Sequence, residues 1–67
     1  MVFLCDTRAE GERVCAELRA RSWEDAEVMA RALGWSLLGR VVVRAGMRLI
    51  ADPQGYERVL PGYALAV

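Results

Sequence analysis

Hydrophobic positions along the chain change their period twice, and each change marks the edge of an element. From Trp23 to Leu33 the apolar residues Trp23, Ala26, Met29, Ala30 and Leu33 recur at helical spacing, while Glu24, Glu27 and Arg31 occupy the other side. Ser22 stands just before this run with Asp25 three residues on, the arrangement of an N-cap with a nearby acid. Acids crowd the positive N-terminal end, Glu27 precedes Arg31 by four, and Gly34 follows as a stop. The pattern predicts a helix over Trp23–Leu33.

After Gly34 the period becomes two. The stretch from Trp35 to Arg44 is rich in β-branched residues, breaks at Ala45-Gly46, and resumes with Met47-Arg48-Leu49-Ile50-Ala51-Asp52, which reads as a hairpin. Directly opposed residues of an antiparallel pair project to one side, so the loop length sets the faces. A two-residue loop sets Val43 against Arg48, an apolar residue against a charge. A three-residue connection, Ala45-Gly46-Met47, instead opposes Arg44 to Arg48, Val43 to Leu49, Val42 to Ile50 and Arg40 to Asp52, and is the register expected. One face then carries Val41, Val43, Leu49 and Ala51, and the other Arg40, Val42, Arg44, Arg48, Ile50 and Asp52.

Asp52-Pro53-Gln54-Gly55 has the residues of a β-turn and predicts a reversal into a short strand over Tyr56–Leu60. Pro61-Gly62 ends it, and the tail from Tyr63 to Val67 is too apolar for a solvated end, so it is expected to pack back on the core or against another chain. The segment from Glu12 to Arg21 fits two templates. Val14, Ala16, Leu18 and Ala20 alternate with Cys15, Glu17, Arg19 and Arg21 as in a strand, whereas Thr7–Glu10 could open a helix that Gly11 would interrupt. Alternation over eight residues followed at once by the Ser22 cap favours the strand, with Val2–Cys5 as an earlier one. The expected fold is α+β, a single compact domain over residues 1–67. A single α-helix packs on one face of an antiparallel sheet of four to five strands, in the order β-β-α-β-β-β.

Composition narrows the chemistry. Nine Arg and no Lys balance nine Asp plus Glu, and 55% apolar positions mark a globular chain. Without His or Lys, most templates for nucleophilic catalysis, Schiff-base formation and phosphate-loop chemistry are closed. Two cysteines cannot make a structural zinc site, and their offset in the first hairpin argues against a disulfide. The residues therefore predict no enzyme, no catalytic residue, no metal and no cofactor. The opening Met1–Asp6 lacks the basic start of a signal peptide and no apolar run is long enough to span a membrane, so a cytoplasmic chain with reduced thiols is expected.

One helix covers one side of a sheet, so the sequence leaves the other side bare. That side is expected to carry Arg19, Arg40, Val42, Arg44, Arg48 and Ile50 beside Cys15 and Glu17, and these six residues form the candidate partner-binding set. The competing reading is an ordinary wet sheet face, with Arg40 paired to Asp52. Zero net charge, no Lys and no aromatic residue among the exposed arginines point to a protein partner with an acidic groove, or a second copy, before nucleic acid. A nucleic-acid-binding regulator using the same arginines, or an antitoxin-like homodimer formed through the tail from Tyr63, are the alternatives.

From Ala16 to Ala51 the chain reads AELRARSWEDAEVMARALGWSLLGRVVVRAGMRLIA: a strand through a Ser cap into an Ala-rich helix and then a hairpin. In this pattern it resembles small phage-encoded anti-CRISPR proteins directed at type I surveillance complexes. The resemblance implies a non-enzymatic helix-on-sheet protein that acts in the bacterial host cell by sitting where a nucleoprotein defence complex takes up DNA.

Overall fold

Ser22 begins the helix as its position implies. Its Oγ accepts from the Asp25 N–H at 3.1 Å, and α1 runs over Trp23–Leu33. At the far end Gly34 takes the left-handed conformation, φ 75°, and the Trp35 N–H donates to the Ala30 carbonyl at 2.8 Å, which closes the last turn. The computed structural model describes residues 1–8, 11 and 14–63. Around α1 it places the strands β1 (Val2–Asp6), β2 (Cys15–Arg19), β3 (Ser36–Arg44), β4 (Met47–Ala51) and β5 (Glu57–Arg58). The expected α+β order is therefore the observed one, and Cys15–Arg19 is a strand rather than a second helix. Ala9 and Glu10 of the alternative Thr7–Glu10 cap, and the tail beyond Tyr63, lie outside the described residues. No helix among the described residues is long and apolar enough to cross a membrane.

The sheet is antiparallel throughout, in the order β2-β1-β3-β4-β5. β2 and β3 therefore run parallel on either side of β1, and α1 crosses from one to the other over the middle of the sheet. Alternation in β1 divides the interior in two. Phe3 and Cys5 face the helix and pack with Leu18, Ala26 and Ala30, flanked by Trp23, Trp35 and Leu37. The Phe3 and Trp23 rings meet edge to face at 5.5 Å. Leu4 faces the other way and packs with Ile50 and Leu60, flanked by Cys15, Leu38, Val41 and Tyr63. The side expected to lie bare is thus closed at its centre, because the chain after β5 turns under the sheet.

The hairpin register differs from the expected one. Arg44 pairs with Met47, so the loop is the two residues Ala45 and Gly46, with φ of 49° and 77°. Both positive angles give the turn whose twist matches the strands. Val43 does oppose Arg48, the mismatch that argued against this loop. It is tolerated because Val43 sits near the tip at 60% exposure, while the same register buries Val42. The phase of β3 is therefore reversed: Arg40, Val42 and Arg44 share the helix side with Leu49 and Ala51, and Val41 and Val43 share the reverse side with Arg48 and Ile50. Ala45 holds a conformation that costs an L-residue of order 1 kcal/mol and that Asn adopts readily. Ala45→Asn is expected to raise the melting temperature by about 2–8 °C in a thermal scan, from roughly 0.5–1 kcal/mol of relieved strain.

Between β1 and β3 the register slips, Leu4 pairing with Gly39 and Cys5 with Leu37, so that Leu38 is an extra residue bulged toward the reverse side. The Asp52 turn closes as its residues imply. Asp52 Oδ1 accepts from the Gln54 and Tyr56 N–H groups, both at 2.9 Å, and Gly55 N–H donates to the Asp52 carbonyl. β5 is shorter than the expected Tyr56–Leu60, since Leu60 leaves the ladder to fill the space beneath Leu4 and Ile50.

Candidate interaction surface

Two regions receive the six residues read from the sequence as one patch. Arg19, Arg48 and Ile50 lie on the reverse side, and Arg40, Val42 and Arg44 on the helix side. Ile50 is 1% exposed and Val42 6%, so neither can serve as the apolar centre of a docking face; both are core residues. Arg48 is half-buried with its guanidinium carbon 5.0 Å from the centre of the Tyr63 ring, and Arg19 is exposed on the edge strand β2. The expected Arg40–Asp52 pairing is replaced by Arg40 against Ala51.

The helix side offers a more coherent site. α1 lies over β2, β1 and the start of β3, and the rest of β3 with β4 and β5 extends past it as a shelf. Arg40, Arg44, Met47, Leu49 and Glu57 project on this side. Arg44 Nη2 meets Glu57 Oε2 at 2.9 Å with 59% of its own side chain still exposed. Met47 is exposed and Leu49 half-buried. Where the shelf meets the start of α1 there is a cleft of about 340 Å³, with Phe3 and Trp23 on one wall, Pro53 and Gln54 of the β4–β5 turn on the other, and Arg40 and Asp52 between them.

The charges in this cleft are not equivalent. Asp52 spends Oδ1 on two backbone N–H groups of its own turn. Arg40 has no ion-pair partner among the described residues and is half-buried beside an aromatic wall. A guanidinium so placed can take a carboxylate or phosphate in bidentate fashion while the Trp23 and Pro53 surfaces cover an apolar neighbour. The candidate set read from the sequence includes Arg40 and Arg44 but not the wall residues Trp23 and Pro53, because both carry ordinary structural signals, a helix start and a turn.

The thiols are separated by the sheet. Cys5 is buried on the helix side, where burial pushes its thiol pKa up, and Cys15 is half-buried on the reverse side; both are free. Among the described residues no three His, Cys, Asp or Glu side chains gather as a metal site requires. No protein family, curated protein or solved structure matches the chain.

Proposed function

We propose that this chain is a small non-catalytic interaction module that binds a protein partner through the shelf and cleft beside α1. The specific partner we assign is a bacterial CRISPR surveillance complex of type I, whose DNA uptake the bound module blocks sterically inside the host cell. The observation that carries the interaction reading is Arg40: a half-buried cation with no partner among the described residues, in a cleft walled by Trp23 and Pro53, on the same sheet face as Arg44 and Met47. The assignment to a surveillance complex is supported by the Ala16–Ala51 pattern together with the helix-on-antiparallel-sheet fold that this pattern implied. An acidic side chain or chain end of the partner would enter at Arg40, while Met47 and Leu49 supply apolar contact.

The test is co-elution of the chain with a purified type I complex, followed by a DNA-binding competition. Arg40→Glu with Arg44→Glu is expected to weaken capture by a hundredfold or more and to restore DNA binding. Parent-like circular dichroism of the double variant shows that it is folded, and the Arg44–Glu57 pair it loses is partly exposed, a kind of pair that contributes about 0–1 kcal/mol. Full capture by the double variant would overturn the site. A log-linear fall of affinity with salt, with free DNA or RNA bound equally well, would replace the protein partner by a nucleic acid.

A further inference from the structure

We infer that a second copy of the chain docks along the free edge of β2, extending the sheet across a two-fold axis at Leu18. This goes beyond the shelf reading and uses none of its residues. The two edges of the sheet are unequal: β5 has two residues, whereas β2 presents five and has no strand outside it among the described residues. Which backbone groups it presents follows from the ladder. Ala20 N–H donates to the Met1 carbonyl and Thr7 N–H to the Val14 carbonyl. Hydrogen-bonded pairs alternate along an antiparallel ladder, so Ala16 and Leu18 also turn their N–H and C=O groups toward β1. The groups of Cys15, Glu17 and Arg19 therefore point outward, away from the sheet.

A row of outward donors and acceptors is a template for pairing, and charges on an edge strand ordinarily repel a copy. Here they select one. In the antiparallel self-pairing centred on Leu18, the outward groups of Glu17 bond those of Arg19 of the second copy, and those of Arg19 bond those of Glu17 of the second copy. Cross-strand partners share a face, so each Glu17 carboxylate then stands beside an Arg19 guanidinium, twice over by symmetry. The self-pairing centred on Glu17 instead opposes two carboxylates.

The surface above this edge is apolar. Trp23 leans toward the cleft at the β4–β5 turn, so the opposite flank of α1 overhangs β2. That flank carries Met29 at 40% and Leu33 at 52% exposure, with Val14 exposed at the foot of β2. This explains why two residues of the helical apolar stripe stand in water in the single chain: the second copy covers them as it extends the sheet.

Sedimentation over a concentration series is expected to show the mass doubling, and hydrogen exchange to show the Glu17 and Arg19 amides slowing as the dimer forms. Arg19→Glu should weaken association about tenfold or more, since both cross-strand pairs become repulsive. So should Glu17→Arg, and the two variants mixed should associate with each other as tightly as the parent chain. A single-chain mass at about 1 mM would overturn the inference. So would a dimer whose Glu17 and Arg19 amides still exchange freely, or a mixture of the two variants that fails to associate while each keeps its parent-like circular dichroism.

Discussion

Replacing Gly39 by Ala is expected to remove about 2–3 kcal/mol of stability, roughly half of what a chain of this size holds. Gly39 is buried in β3, opposite Leu4, and a β-carbon there would stand 2.1 Å from Ile50 Cγ2 and 2.7 Å from the Ala51 carbonyl oxygen. Ile50 needs that space because it turns inward to pack on Leu4 and Leu60. The side-chain contact could be relieved by a rotation that opens a void, but the Ala51 oxygen belongs to a backbone paired on both sides by β3 and β5. Urea denaturation of Gly39→Ala, Ile50→Ala and the double variant separates the two terms. If Ile50 Cγ2 is the main obstacle, the double variant loses at least about 1 kcal/mol less than the sum of the single changes. Additive losses would assign the strain to the Ala51 carbonyl, and a loss below about 0.5 kcal/mol for Gly39→Ala would mean that the close approach is not a constraint.

Gly39 also shows where sequence reasoning stops. Local rules read α1 to the residue, because the Ser22 cap, the apolar stripe and the Gly34 stop all act within one segment. The Asp52 turn was equally legible, its carboxylate bonding only its own turn. The faces of β3 were not, since they depend on a loop one residue shorter than the apolar pairing suggested. Val43 carries the cost of that loop at an exposed tip, and Val42 gains from it in the interior. One residue of slip moves a whole strand to the other face, which is why the six-residue patch divides into Arg40, Val42 and Arg44 on one side and Arg19, Arg48 and Ile50 on the other. Exposure of individual helix residues was also hidden: Met29 and Leu33 belong to the apolar stripe, yet they are 40% and 52% exposed. What pairs or covers a surface is set by distant parts of the chain, and neither composition nor spacing carries that information.

The reverse side of the sheet depends on Leu60, and Leu60→Ala is expected to cost about 2–4 kcal/mol although the residue lies in no strand or helix. Leu60 is buried against Leu4 and Ile50 and anchors the turn that carries Tyr63. Tyr63 donates its hydroxyl proton to Glu17 Oε2 and lies under the Arg48 guanidinium, so it ties the end of the described chain to β2 and β4 at once. Burial first, and then the hydrogen bond and the charge of Glu17, push the phenol pKa from 10 up to about 12, against an opposing pull from Arg48. The fold thus favours the neutral phenol. Its contribution is full below pH 10 and is lost as the pH rises toward about 12, so the parent chain should weaken in that window and a Tyr63→Phe chain should lose this part of its pH dependence. In a Tyr56→Phe background the remaining phenol can be followed by its ionised absorbance. Its midpoint should lie near 12 in the parent and fall toward 10 when Leu60 becomes Ala, because water then reaches the ring. A midpoint that stays near 12 in the Leu60→Ala chain would show that Tyr63 is held by Glu17 and Arg48 alone. The apolar contact beneath the sheet would then not be what closes that side.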